Sequence, residues 1–226
     1  MNELLKMTAH QIKEGKFDKV ILAIGSCEAH GQHLAEGCDT IVSYELSKQV
    51  ADRVPGMLVL PPITVGYSGH YDTFPFTLTF DYETMIHVIY DIVESVLRNG
   101  INKIFLMNGH DGNIAPIKIA ARKIKEKYPD ARIASLPEWW VIAGKLVPEG
   151  TFKVWNGLGH AGEGESSIAY HLFPQWCEPD QATCVVPDHL PEHVDIKWDF
   201  AEITDTAQTG DATIATAEKG KLMNDC

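Results

Sequence analysis

Five consecutive apolar residues, Val20-Ile21-Leu22-Ala23-Ile24, stop at Gly25 and pass straight into a loop dense in ionisable side chains. An unbroken apolar run with no polar alternation suits a strand buried on both faces, and such strands belong to parallel sheets. Parallel strands require long crossovers, so helices must alternate with strands along the chain. In open α/β sheets the ligand crevice lies beyond the carboxyl ends of the strands, where this loop begins.

The alternation continues downstream. Residues 2–15 read as a first helix ahead of a strand at 18–24. Asp39 caps a helix from Thr40 to about Val54, closed by Pro55-Gly56. Residues 57–60 form a short strand stopped by Pro61-Pro62. Asp81 caps the clearest helix, which runs to about Asn99. Its Met85, Ile86, Ile89, Ile92, Val93, Val96 and Leu97 keep helical spacing, and Gly100 ends it. A strand at 102–107, a helix at 114–128, a strand at 131–136 and a helix at 163–173 follow. Residues 183–186 are a further strand candidate, and Asp211 begins a last helix. No internal repeat or compositional break divides the 226 residues. The expectation is one domain over 1–226, a three-layer α/β/α fold with a mainly parallel central sheet.

A hydrophobic content of 45% and a charged content of 22% are ordinary for a soluble globular chain. The formal net charge of −12 argues against nucleic acid or an anionic membrane as a partner. No apolar stretch approaches the roughly 20 residues that span a bilayer. The first residues carry no basic segment followed by an apolar one, so no secretory signal is read and cytoplasm is expected. The five cysteines, Cys27, Cys38, Cys177, Cys184 and Cys226, form no C-x-x-C pair. Cys27 and Cys38 flank the polar loop, but a free Cys is more often a small buried hydrophobe, and neither is counted as a ligand.

That loop reads Glu28-Ala-His30-Gly-Gln-His33-Leu-Ala-Glu-Gly-Cys38-Asp39. Imidazole nitrogen with carboxylate oxygen is the donor set of catalytic zinc, manganese or iron. A lone His-x-x-His is more often a polar turn. Here Gly- and His-rich loops recur at Asn108-Gly109-His110-Asp111-Gly112 and at Gly159-His160-Ala161-Gly162-Glu163-Gly164-Glu165-Ser166. The first of these follows the strand at 102–107 and the second opens a helix, as expected if a parallel sheet gathers ligands distant in sequence.

The run Gly25-Ser26-Cys27-Glu28-Ala29-His30-Gly31-Gln32-His33-Leu34 with Asp39 resembles the first metal motif of the creatininase-type amidohydrolases. The loops at Asn108-Gly109-His110 and His160 to Ser166 resemble the second and third. The stretch from Thr209-Gly210-Asp211-Ala212 to Lys219-Gly220 resembles the family's C-terminal signature, so the likeness covers nearly the whole chain. It implies two divalent metal ions (Zn, Mn or Fe). Glu28 and His110 would hold one, His30 the other, and Asp39 would bridge them. Creatinine-hydrolysing members place a further carboxylate two residues after the His110 equivalent. This chain has Gly112 there, so Glu165 is expected to complete the second site, with Glu163 as the fallback. A metal-bridging hydroxide would attack a substrate carbonyl, and His160 would serve as the acid–base residue. Ser68, in Gly66-Tyr67-Ser68-Gly69-His70-Tyr71, would contact substrate. Trp139 and Trp140 resemble an aromatic flap, and Trp140 is taken as the substrate contact. His33 would support the metal ligands, whereas His10, His87, His171, His189 and His193 have no partner in the pattern.

The substrate residues depart from the creatinine-hydrolysing pattern. A Trp-Asp pair expected before His160 is replaced by Asn156-Gly157, and Asp111 stands where an aromatic is expected, as a substrate-binding candidate. The resemblance therefore implies a hydrolase of a small cyclic amide or related compound. The alternative is a hydrolase of inositol catabolism that opens a cyclic diketone, a diketo-inositol, by C–C cleavage. A non-catalytic metal-stabilised binding or scaffold protein is the reading from another class. Family members form hexamers, so a homo-oligomer with a small-molecule substrate, and no nucleic-acid or membrane partner, is expected.

Overall fold

The computed structural model describes residues 2–187 and 196–226, so His189 and His193 lie outside the described residues. The chain gathers into two compact units. The first comprises residues 1–26, 39–67 and 79–139, and the second residues 27–38, 68–78 and 140–226.

The first unit is built on a parallel sheet of β1 (Lys19–Ile24), β2 (Met57–Val59), β3 (Lys103–Asn108) and β4 (Arg132–Leu136), in the order β2-β1-β3-β4. Its central pair aligns Val20 with Ile104 and Ile24 with Asn108, so both strands end at the same level and release their loops side by side. Val20 through Ile24 are essentially inaccessible to solvent, as their unbroken apolar character demands. The crossovers are helical, as parallel pairing requires: α2 (Cys38–Arg53), α3 (Tyr82–Arg98) and α4 (Ile114–Lys127). α3 buries Met85, Ile89, Val93 and Val96 against a core that includes Leu22, Leu58, Leu106, Ile117 and Ile124. The Asp81 carboxylate accepts from the Thr84 amide and caps α3 as expected. The first helix is shorter than its sequence suggests. A 3-10 turn at Leu4–Lys6 precedes α1 (Ala9–Glu14), because Thr8 makes a capping box with Gln11 and restarts the helix there.

The second unit holds α5 (Trp139–Leu146) from its second residue, α6 (Glu163–Leu172), α7 (Ala217–Asp225) and an antiparallel pair, β5 (Cys184–Val185) and β6 (Gly210–Asp211). Sequence periodicity missed α5, whose Trp-Trp-Val-Ile start is apolar on every side. Asp211 does not begin the last helix. It caps a 3-10 turn at Ala212–Ile214, and α7 starts after Thr216, whose hydroxyl accepts from the Lys219 amide. α7 packs tightly on α6 at Gly220, where a β-carbon would overlap the Ser167 carbonyl. Among the described residues no helix is long and apolar enough to cross a membrane.

Candidate metal centre

In the first unit the ends of β1 and β3 are stapled to the start of α2 by polar side chains. Ser26 Oγ donates to Asp39 Oδ2 at 2.8 Å, and Thr40 Oγ1 donates to the Ser26 carbonyl at 2.8 Å. Gly109 lies so close to the Asp39 carbonyl and Ser43 that no side chain fits there, which explains the glycine of Asn108-Gly109-His110. Asn108 Nδ2 donates to the carbonyls of His110 and Pro137, at 2.6 and 2.9 Å. Asn113 is fully buried, donates to the Gly25 carbonyl at 2.9 Å and accepts from the Tyr67 amide at 2.9 Å. These asparagines hold the loop. The sequence flagged the loop but not their task.

The product of this scaffolding is a buried pair. His110 Nδ1 lies 3.0 Å from Asp39 Oδ2, with side-chain exposures of 3% and 4%. His110 Nε2 lies 2.8 Å from the Tyr67 carbonyl. A carbonyl only accepts, so Nε2 carries the hydrogen and Nδ1 faces the carboxylate. A ring nitrogen and a carboxylate oxygen at this separation share one cation, a proton or a metal.

The second unit repeats the arrangement. His30 and Glu28 are fully buried, and His30 Nδ1 lies 3.0 Å from the Glu28 carbonyl. That fixes the hydrogen on Nδ1 and turns Nε2 toward Glu165 Oε2, 3.9 Å away. His160 Nε2 lies 2.7 Å from the Ala29 carbonyl, leaving Nδ1 toward Glu28 Oε1 at 3.9 Å. Metal bonds of about 2.0–2.2 Å to such donors place two ligands of one ion about 3–4 Å apart. One donor atom each from Glu28, His30 and His160 lie within 4.8 Å of one another. Each of the three imidazoles thus gives one nitrogen to a backbone carbonyl and directs the other at a carboxylate, the orientation by which proteins prepare histidine for a metal. The donor set and spacing fit a divalent ion.

The structure separates the two glutamates that the sequence left open. Glu163 is fully buried and already engaged. Its Oε2 accepts from the Lys153 amide at 2.8 Å, and its Oε1 meets Lys219 Nζ at 2.5 Å. Lys219 also donates to the Ile214 carbonyl at 2.7 Å, so Glu163 anchors the segment before α7. Glu165 is partly exposed and approaches His30, and its Oε2 also accepts from the Ala161 amide at 2.6 Å.

Around His160 lies an aromatic enclosure. Its ring centroid is 4.3 Å from that of His30, 4.5 Å from Tyr71 and 5.3 Å from Phe200, the last edge-on. Phe200 was not legible as a site residue, having no motif around it. Ser68 is fully buried just before the 3-10 turn Gly69–Tyr71, and Trp140 is half-buried in the first turn of α5. Asp111 is exposed and opens the 3-10 turn after His110. Asn156 takes a left-handed conformation with φ 53°, and its amide donates to the Gly144 carbonyl at 2.9 Å. Its side chain therefore serves the loop itself. Burial raises the carboxyl pKa of Glu36, whose Oε2 is buried with no hydrogen-bond partner among the described residues.

Comparison with known proteins places this geometry. The family model for creatininase, described as creatinine amidohydrolase, matches residues 5–226. The creatinine amidohydrolase of Pseudomonas putida is 29% identical over 219 residues, covering 90% of this chain and 83% of the relative. The mycofactocin precursor peptide peptidase of Mycobacterium ulcerans (strain Agy99) is 25% identical over 241 residues, covering 100% of this chain and 89% of the relative. A solved structure described as the manganese form of creatininase superposes with a TM-score of 0.82 at 27% identity, covering 99% of this chain and 93% of that one. With a parallel sheet, a buried His and carboxylate donor set and a match along nearly its whole length, the chain belongs to the creatininase family of metal-dependent hydrolases.

Proposed function

We propose that this chain, as one creatininase-like domain, hydrolyses a small cyclic amide or related carbonyl compound with two divalent ions held by Glu28, His30, Asp39, His110 and Glu165. The observation that carries the reading is the repeated tautomer control at His30, His110 and His160, each tied through one nitrogen to a backbone carbonyl. A structural metal site does not require His160, whose ring is partly exposed and tilted against those of His30 and Tyr71. When bound, the ions polarise the carbonyl and activate water for attack at neutral pH.

The remaining work falls to side chains. His160 keeps its Nε2 hydrogen on the Ala29 carbonyl, so Nδ1 is the atom that takes and returns a proton. The Tyr71 and Phe200 rings pack against His160 and leave its side chain 11% exposed, and the limited access of water would favour proton transfer to the leaving atom. Ser68, Asp111 and Trp140 contact the substrate in this reading. The replacement of the Trp-Asp pair by Asn156-Gly157 argues for a substrate other than creatinine.

A second reading is an acyclic peptide amide, favoured by the full-length match to the mycofactocin precursor peptide peptidase. Both readings and the diketo-inositol alternative are separated by one panel. The manganese- and zinc-loaded chain is assayed on creatinine, simple lactams, formamides, short peptides and keto-inositols, with His160→Asn in parallel. Turnover of one class that falls about a hundredfold or more in His160→Asn supports the assignment. No turnover by a fully metal-loaded chain on any class overturns it in favour of a scaffold. The homo-oligomeric state expected of the family is read from light scattering on the same preparation.

A further inference from the structure

His33 belongs to the first motif, yet among the described residues its ring reaches none of the proposed ligands by a hydrogen bond. It is buried at 1% exposure, and its Nε2 lies 2.7 Å from Ser166 Oγ. Ser166 Oγ in turn lies 3.0 Å from the Ala161 carbonyl. A hydroxyl has one hydrogen, and a carbonyl can only accept it. Ser166 therefore donates to Ala161, and its oxygen must accept from His33 Nε2. The chain of bonds has one direction, and it fixes the His33 tautomer with Nδ1 bare. Nδ1 is buried with no hydrogen-bond partner among the described residues, as a lone pair rather than a stranded N–H. Burial, helped by nearby His30, holds the ring neutral with its pKa pushed down to about 4, so the tautomer persists at neutral pH.

The carbonyl at the end of this chain belongs to the residue that follows His160. Ala161 sits at φ 49°, a left-handed conformation that a residue with a β-carbon adopts only when its surroundings hold it there. The Ala161 amide donates to Glu165, the His160 amide and carbonyl pair with the Thr209 hydroxyl and amide at 3.0 and 2.9 Å, and the Ala161 carbonyl takes the Ser166 hydrogen. The last depends on His33, because an unclaimed Ser166 hydroxyl is free to rotate. The His33 ring is itself kept in place by Tyr170, edge-on at 6.4 Å, and by the Glu178 amide on the His33 carbonyl at 2.8 Å.

We propose that His33 is a positioning residue that acts through Ser166 to hold the His160–Ala161 turn, and so aims the His160 imidazole and the Glu165 carboxylate. The relay stands on geometry, while its catalytic consequence rests on the role proposed for His160. The test is nitrogen-15 NMR of the histidine-labelled, zinc-loaded chain, with Ser166→Ala, His33→Ala, His33→Gln and the Ser166→Ala/His33→Ala double variant. The expected wild-type result is a neutral His33 with its hydrogen on Nε2. Ser166→Ala and His33→Ala should each shift the His160 ring resonances, and the double variant should shift them no further, since the groups act in series. His33→Gln, which keeps an N–H donor, should restore the wild-type positions in large part. On whichever panel substrate is turned over, kcat should fall about ten- to a hundredfold with KM and zinc content unchanged. A hydrogen on His33 Nδ1, or His160 resonances indifferent to Ser166→Ala, overturns the relay. A chain that hydrolyses nothing on the panel sinks the enzymatic reading alone, because the resonances still decide the relay. Should His33→Ala fail to fold, Ser166→Ala removes a single oxygen and carries the test.

Discussion

Asp39 Oδ2 and His110 Nδ1 meet at 3.0 Å in a place almost closed to solvent, and Ser26 Oγ donates to the same carboxylate oxygen at 2.8 Å. The imidazole is held from behind by the Tyr67 carbonyl, and the carboxylate comes from the first turn of α2. Residues that follow β1 and β3, at the starts of two separate crossovers, are thus brought to bonding distance by the parallel pairing of those strands.

Removing Asp39 takes away the group proposed to serve both ions. Asp39→Ala is expected to bind no more than half the wild-type metal per chain, measured by plasma mass spectrometry after dialysis against limiting zinc. Equal loading in both proteins would refute its role as a ligand.

The two glutamates at the start of α6 should respond in opposite ways. Glu163→Gln strips the partner from Lys219 in a buried setting and is expected to cost about 2–4 kcal/mol of stability, seen in urea denaturation. Its metal affinity should stay close to wild type. Glu165→Gln should weaken metal binding tenfold or more in a competitive chelator titration while leaving the denaturation midpoint of the apo chain nearly unchanged. Reversed phenotypes would exchange the assignments.

His33 makes stability depend on pH. Its pKa is about 4 in the fold against 6.5 in the unfolded chain, lowered by burial and then by His30. In this window the unfolded state binds more protons, so stability rises with pH. The contribution is complete above pH 6.5 and is lost as pH falls toward 4. At about 1.4 kcal/mol per pH unit, the loss is about 2–3 kcal/mol. Urea denaturation of the apo chain from pH 7 to pH 4 should show a steeper decline for wild type than for His33→Gln, and parallel curves would contradict it.

Close packing of α7 on α6 makes Gly220 intolerant of a methyl group. Gly220→Ala places a β-carbon against the Ser167 carbonyl and should cost about 1–3 kcal/mol, despite the higher helix propensity of alanine. Calorimetry is expected to show a melting temperature lowered by several degrees. An unchanged or raised temperature would mean that the helices separate more easily than this geometry allows.

The parts of the fold legible from sequence were those with a strong repeating demand. The apolar run of β1, the helical stripe of α3 and the Asp81 cap each reflect one local rule, and each matches the structure. α5 was not legible because an apolar segment around Trp139-Trp140 has no periodicity to read. The start of α1 shifted because a Thr8–Gln11 capping box is a side-chain agreement that propensity alone overlooks.

By itself the sequence determined the strand-and-helix alternation, the loops that carry the chemistry and the residue types within them, because periodicity and ligand chemistry are local properties. Only the tertiary structure decided which nitrogen of each imidazole is tied to a backbone carbonyl, since that depends on carbonyls such as Tyr67, far from His110 along the chain. It also decided that Glu163 belongs to Lys219 while Glu165 faces His30, because two carboxylates separated by one residue on a helix point in different directions. Hydrogen-bond direction is a property of the assembled loops, and no spacing in the sequence encodes it.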